Sequence, residues 1–213
     1  MAKPRILHII TRIDRGGSAQ NVLISVNELR RLGYKVGLLT GSLKAKSINA
    51  KIINHLVPEI HPLRDILAFF SIYRYIKKTK YDIVHTHTSK AGFIGRFAAI
   101  LAGSKKIIYT PHGHIFHGYF GPFLTKFFIL LERLAGKFTH KIVALTPSEA
   151  QDYIYFGVVK DKSKLRVIPS GVDESVFFNN GDKNSLRKKL GFDEDKIIIF
   201  NACLLYTSPS PRD

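Results

Sequence analysis

Thiols are nearly absent from this chain, whose only cysteine among 213 residues is Cys203. That excludes a disulfide framework and a cysteine-based metal centre, and it points to a reducing compartment. Carboxylates are sparse as well. Sixteen Asp and Glu face 33 Lys and Arg, a formal net charge of +17, and such a field favours anionic partners: nucleic acid, acidic lipid headgroups or phosphorylated small molecules. The basic residues are scattered, Arg187-Lys188-Lys189 being the longest run, so neither a localisation tag nor a nucleic-acid arm is expected. A solvated basic surface accounts for most of the charge. No long apolar run occurs either. The longest uncharged window, 107–125, is interrupted by Pro111, Gly113, Gly118, Gly121, Pro122 and by His112, His114 and His117, a pattern unsuited to a spanning helix. The N-terminus enters Ile6-Leu7-His8-Ile9-Ile10 without the small-residue cleavage site of a secretory signal, so a cytoplasmic protein is expected.

What is present is alternation. A hydrophobic content of 45% supports a packed core. Strand patterns at 5–11, 35–39, 51–57, 83–85, around Ile107, at 141–145 and at 165–168 are separated by helix patterns. Gly16-Gly17-Ser18 opens the first helix, which runs through Val22, Val26 and Leu29 until Gly33 stops it. Residues 63–80 read as an amphipathic helix through Ile66, Phe70, Tyr73 and Ile76, and 89–102 as another. The helix at 122–137 carries Phe123, Phe127, Leu130, Leu131 and Leu134 on one side, and Ser148 with Gln151 looks like the capping box of a short helix. The fold class expected is α/β, a Rossmann-like doubly wound parallel sheet. No internal repeat is visible. Beyond Pro169-Ser170-Gly171-Val172-Asp173 come a Lys/Arg-rich helix at 184–190 and a strand run at 196–200, the expected start of a second domain whose strand has nothing to pair with.

The last eleven residues, Cys203-Leu204-Leu205-Tyr206-Thr207-Ser208-Pro209-Ser210-Pro211-Arg212-Asp213, resemble the in-frame translation of a transposase sequencing adapter. The expected organisation is therefore 1–173 as one domain, 174–202 as a linker and the start of a truncated second domain, and 203–213 as a non-native tail.

The chemistry concentrates in two loops. Ile83-Val84 runs into His85-Thr86-His87-Thr88-Ser89-Lys90-Ala91-Gly92, and Ile107-Ile108-Tyr109 runs into Thr110-Pro111-His112-Gly113. If both runs are parallel strands, these loops share the sheet edge where open α/β folds place ligand crevices. His85 and His87 share a face only if their strand persists through both, and strand-end hydrogen bonding is preferred to a metal site because no carboxylates or H-E-x-x-H accompany them. His112, fixed between Pro111 and Gly113, is the better candidate for a ligand-facing side chain. Gly16, Gly17 and Ser18, with Arg15 adjacent, suit phosphate binding by backbone N–H groups at a helix N-terminus, a plain tight turn being the competing account. There is no G-x-G-x-x-G after the first strand and no Walker A lysine, which weighs against a nicotinamide dehydrogenase and a P-loop NTPase. Phe116, Tyr119, Phe120, Phe123, Phe127 and Phe128 near Lys126, Arg133 and Lys137 fit an anionic bilayer or a lipid-linked substrate, with core packing the alternative for about half of these rings.

Taken as an ordered set, Gly16-Gly17, the His85–Gly92 loop, Thr110-Pro111-His112-Gly113, Thr146-Pro147-Ser148-Glu149 and Ile168-Pro169-Ser170-Gly171-Val172-Asp173 resemble the N-terminal domain of family 4 of the retaining GT-B glycosyltransferases, especially bacterial enzymes of capsule, exopolysaccharide and lipid-linked glycan synthesis. The likeness spans Arg5 to about Asp173; Ser170 stands where an Asn is common. It implies the N-terminal half of a GT-B fold with its second domain truncated. It also implies transfer of a sugar with retention from a nucleotide-sugar donor to a lipid-linked or glycan acceptor, without metal or cofactor. Gly16, Gly17 and Ser18 would meet the donor diphosphate, and His112 would be catalytic beside the donor sugar. His85, His87, Ser89 and Lys90 would serve the acceptor, Lys90 by pairing with a lipid pyrophosphate, and Gly171 and Asp173 would lie near the donor between domains. The Arg/Lys pair and Glu-x7-Glu that the family's second domain normally supplies are not in this sequence, so the chain alone is expected to be inactive. Peripheral contact with the inner face of an anionic plasma membrane is expected, and nucleic acid is not. The alternatives are a non-catalytic anionic glycolipid-binding module and a GT-B sugar-nucleotide epimerase, for which Asp14 would be the first-loop acid/base candidate.

Overall fold

Seven parallel strands form the sheet on which the first part of the chain is built: β1 (Arg5–Ile13), β2 (Lys35–Leu43), β3 (Lys51–Ile52), β4 (Ile83–His87), β5 (Lys106–Thr110), β6 (Lys141–Ala144) and β7 (Leu165–Val167), in the order β3-β2-β1-β4-β5-β6-β7. The computed structural model describes residues 3–14, 16–44, 48–113, 116, 120–174, 181–193 and 196–199. They fall into two units, Met1–Val172 and Asp173–Asp213. Helices α1 (Gly17–Arg31), α2 (Pro62–Thr79), α3 (Ser89–Leu101), α4 (Pro122–Phe138) and α5 (Pro147–Tyr155) connect the strands of the first unit. Strand order reverses between β1 and β4, so the doubly wound sheet expected from the sequence is formed, with its topological switch point at that seam.

Both faces of the central strands are covered, which is why they read as nearly continuous apolar runs. Leu7, Ile9, Leu39, Val84 and Ile107 pack against Ala68, Ile72 and Ile76 of α2 and Ala91, Ile94 and Ala98 of α3. Ile10 and Leu38 pack against Ala19, Val22 and Val26 of α1. Each large aliphatic side chain buried in this way contributes about 1.5–3 kcal/mol. Tyr109, Ile129, Ile142 and Tyr153 form a third cluster beneath the β5 and β6 ends.

The layer on the α3 side is pinned by an ion pair. A Cβ on Gly92 would sit 2.2 Å from the Tyr109 ring, so only glycine lets α3 approach β5 this closely. One turn later Arg96, fully buried, donates from Nε to the Gly92 carbonyl at 2.8 Å and from Nη2 to Glu132 Oε1 of α4 at 2.5 Å. Its guanidinium lies 3.8 Å over the Tyr109 ring.

Several boundaries differ from the sequence expectation. β4 continues to His87 rather than ending at His85, because the backbone of 83–87 stays paired to 106–110 of β5. β3 is only Lys51–Ile52, since the chain turns back at Leu56, whose N–H donates to the Ile53 carbonyl. The cap of α5 is Thr146, which accepts from the Glu149 N–H, not Ser148 with Gln151. The α4 stripe lies on one side as expected, but that side faces outward. Phe123 is 86% exposed, with Phe127, Leu130 and Leu134 also exposed, while Ile129, Glu132, Ala135 and Gly136 face the protein. On α2, Ile66 and Phe70 are likewise exposed, and Ala68, Ile72 and Ile76 are buried.

In the second unit, Asp182 caps α6 (Lys183–Lys189) by accepting from the N–H groups of Asn184 and Ser185. Residues 196–199 do not form the expected strand. The 203–213 tail, Arg15, His114, His117 and Tyr119 lie outside the described residues. Among the described residues no helix is long and apolar enough to cross a membrane.

The Arg96–Glu132 pair generates a direct test of the packing. Glu132→Ala leaves a buried guanidinium without its carboxylate and is expected to cost about 3–5 kcal/mol in urea unfolding. A loss under about 1 kcal/mol would show that α4 is not held by this pair.

Candidate active site

Strand register assembles the site. β1 and β4 are direct neighbours with His8 opposite His85, and residues two apart on a strand share a face, so His85 and His87 come to the same side as His8. His8 Nδ1 and His87 Nε2 lie 2.9 Å apart, and His87 Nδ1 lies 3.1 Å from His112 Nε2 in the loop after β5. His85 Nε2 meets Thr110 Oγ1 at 2.8 Å, and the His85 and His87 ring centroids are 4.1 Å apart. His8 and His87 are fully buried, His85 and His112 partly. Burial pushes His8 down to about 4, helped by the charge of Arg30, and pushes His112 down to about 4 as well. It also holds His85 and His87 well below the ordinary histidine value, with the neighbouring histidines adding to the shift. All of these imidazoles are therefore neutral at physiological pH.

The nitrogens of His8, His85 and His87 fall within 4.8 Å of one another, a spacing that a shared metal ion could also use. No carboxylate or thiolate belongs to that group, so a buried dication would lack an offsetting charge. The close nitrogen pair is already a hydrogen bond.

His112 occupies left-handed backbone, φ 56°, which is unusual for a residue with a Cβ. A carboxylate holds it there. Glu149, buried in the first turn of α5, accepts from the Gly113 N–H at 3.0 Å and from the Leu145 N–H at 2.6 Å. One side chain thus ties the His112 loop to the loop after β6.

Helix N-termini complete the crevice edge. α1 follows β1, α3 follows β4 and α4 follows the β5 loop. The N-cap residues of these three make no side-chain cap and no acid lies in their first turns, although Thr11 of β1 accepts from the Ala91 N–H of α3 at 3.2 Å; α2 has His61 and Asp65, and α5 has Thr146 and Glu149. The helix dipole and first-turn N–H groups favour an anion at such a helix start. Gly16 and Gly17 are exposed, and a Cβ on Gly17 would meet nothing. Ser18 is half-buried on the first turn of α1. Asp14 is engaged by Arg12 at 2.7 Å and by the Gly16 N–H at 2.8 Å, so it is committed to shaping this turn.

Ser89 opens α3 immediately after Thr88, a second residue in left-handed backbone. Lys90 does not present the free cation expected for a pyrophosphate. Its ammonium lies 2.6 Å from Asp65 Oδ1 and 2.6 Å from the Glu59 carbonyl, which neutralises it. Gly171 and Asp173 are exposed at the end of the first unit and the start of the second. Sequence reasoning missed His8 and Glu149 as site residues. The available signals were a polar residue inside the Ile6–Ile10 run and the Thr146-x-x-Glu149 capping pattern.

The buried neutral imidazoles make stability depend on pH in a definite direction. Below about 6.5 the unfolded chain protonates His8 and His112 while the folded chain, titrating near 4, does not. The unfolded state then binds more protons, so stability is full above 6.5 and falls as pH drops toward 4, by about 1.4 kcal/mol per pH unit for each such histidine. Urea unfolding at pH 7.5 and 5.5 is expected to show this loss, and equal stabilities would contradict neutral burial.

Residues 15–176 match Glycosyltransferase Family 4. The chain is 32% identical over 166 residues to the UDP-Gal:alpha-D-GlcNAc-diphosphoundecaprenol alpha-1,3-galactosyltransferase of Escherichia coli, a match covering 78% of this chain and 43% of that protein. It therefore spans less than half the length of that relative. Sucrose-phosphate synthase from Thermosynechococcus elongatus superposes with a TM-score of 0.67 at 14% identity, over 90% of this chain and 53% of its own. The UDP-N-acetylglucosamine 2-epimerase of Rickettsia bellii does so with a TM-score of 0.63 at 10% identity, over 90% and 52%. These two share the fold, while the family match separates the chain from the epimerase alternative: it belongs to glycosyltransferase family 4.

Proposed function

We propose that residues 1–173 are the acceptor-side domain of a retaining glycosyltransferase that needs no metal, and that residues 174–202 lead into a donor-binding domain. The reaction moves a sugar from a nucleotide-sugar donor to a lipid-linked glycan in envelope polysaccharide synthesis. The observation that carries this reading is the neutral, partly exposed His112 on the same sheet edge as the N-termini of α1 and α3, whose first turns hold no acid. On this reading Gly16, Gly17 and Ser18 meet the donor diphosphate as charge builds on the leaving group. His112 hydrogen-bonds the donor sugar as its ring becomes electron-poor, and neutrality lets it do so without repelling that developing positive charge. His85 and His87 support the crevice from beneath, and Ser89 with the α3 N-terminus receives an acceptor oxygen. The Escherichia coli relative, by its name, joins a UDP-sugar to a diphosphoundecaprenol-linked sugar, which is the donor and acceptor chemistry proposed here.

Peripheral contact with an anionic membrane on its cytoplasmic face fits α4. Its outward stripe of Phe123, Phe127, Leu130, Leu134 and Phe138 is flanked by the exposed Lys126, Arg133 and Lys137, so apolar burial and headgroup attraction act together, each basic residue adding about 1 kcal/mol near the surface.

Two measurements test this reading. Gly17→Glu places a carboxylate at the α1 N-terminus and is expected to weaken binding of a nucleoside-diphosphate sugar by about tenfold, roughly 1.4 kcal/mol. Unchanged binding would remove α1 from the donor site. Because half of the donor site is assigned to a second domain, the 213-residue chain is expected to show no sugar transfer alone, and turnover would contradict that division.

A further inference from the structure

We propose that His8 and His87 are positioning residues that hold His112 in its Nδ1–H tautomer, so that His112 offers the crevice a hydrogen-bond donor. The use of that donor on a sugar or phosphate oxygen rests on the function proposed above. The tautomer itself does not.

The number of protons in the file limits its tautomers. A neutral imidazole has one N–H and one lone pair. His87 uses both nitrogens, Nε2 toward His8 and Nδ1 toward His112, so its single proton serves only one contact and a neighbour must supply the other. The two bonds therefore run in the same sense, and only two arrangements exist. In one, His8 Nδ1–H donates to His87 Nε2 and His87 Nδ1–H donates to His112 Nε2, which leaves the proton of His112 on Nδ1. In the other, His112 Nε2–H starts the file and the proton of His8 ends on Nε2.

His8 Nε2 decides between them. It is buried and has no hydrogen-bond partner. The second arrangement strands an N–H there, the rarer and costlier defect in protein interiors, whereas the first leaves only a bare lone pair. The file is also held in place along its length. His8 is fixed opposite His85 by the β1–β4 register, His85 is tied to Thr110, and the His85 ring packs against His87. The carboxylate of Glu149 holds the backbone that carries His112.

The functional consequence is a choice of ligand atom. An Nδ1–H on the free edge of His112 accepts no proton and attracts an oxygen lone pair, such as a sugar hydroxyl or a phosphoryl oxygen. The opposite tautomer would present a lone pair, which repels a phosphoryl oxygen and can only accept from a sugar hydroxyl.

The test is a two-bond proton–nitrogen NMR correlation on the unliganded, ¹⁵N-histidine-labelled chain, which distinguishes Nδ1–H from Nε2–H for each residue. The expected result is that His8, His87 and His112 are all Nδ1–H, the form that histidine disfavours in water. In His87→Ala, if the backbone amide spectrum shows the fold retained, His112 is expected to shift toward Nε2–H. His112 found as Nε2–H in the unsubstituted chain would overturn the proposal, as would a tautomer indifferent to His87→Ala. Stoichiometric Zn²⁺ binding that displaces the His8 and His87 signals would also overturn it, because a nitrogen bound to metal cannot serve the file. Since tautomers are read without ligand, a failure to bind nucleotide sugar would count against the functional reading alone.

Discussion

The seam between β1 and β4 is the constraint on which the rest of the site depends. It is the place where strand order reverses, and it is also where His8 and His85 stand opposite each other in the ladder. Because the backbone hydrogen bonds of the sheet fix that register, the buried imidazoles cannot slide relative to one another without breaking strand pairing. Burial in turn keeps them neutral, and neutrality makes their contacts a file of ordinary hydrogen bonds rather than a set of mutually repelling cations. The reach of the file is what matters for chemistry. It starts deep in the sheet at His8 and ends at the partly exposed His112, so a surface group inherits its orientation from the core.

Two buried carboxylates give this arrangement a rigid frame, each in a different way. Glu132 neutralises the interior charge of Arg96 and locks α3 against α4. Glu149 stays on the crevice side and stitches two loops together through their backbone N–H groups. Gly92 allows α3 to lie close enough to β5 for Arg96 to cover Tyr109. The strained backbone of His112 is therefore held by neighbours that are themselves well packed, the usual condition for strain to persist at a functional site. By contrast, the N-cap residues of α1, α3 and α4 make no side-chain cap of their own, whereas those of α2 and α5 do.

The sheet was legible in the sequence because parallel strands buried on both faces write themselves as short apolar runs between helical periods. The His85 and His112 loops were legible because they interrupt that rhythm with histidine, proline and glycine. His8 was not, since a single polar residue inside Ile6–Ile10 looks like a tolerated exception until the register brings His85 beside it. Glu149 was hidden for the same reason: its partners at Gly113 and Leu145 are distant or belong to another loop. The α4 stripe misled in the opposite direction. Helical periodicity reports that apolar residues share a side, but not whether that side faces a sheet or the outside, and here the small residues Ala135 and Gly136 take the inner face.

The most direct test of the central claim is to titrate a nucleoside-diphosphate sugar into the labelled chain and map which backbone amides respond. The account predicts shifts at Gly16, Gly17, Ser18, Ser89 and Gly113, the backbone amides in the loops after β1, β4 and β5. A response centred elsewhere, on the outward face of α4 or at the opposite edge of the sheet, with those amides unmoved, would contradict the assignment of this crevice as the sugar-transfer site.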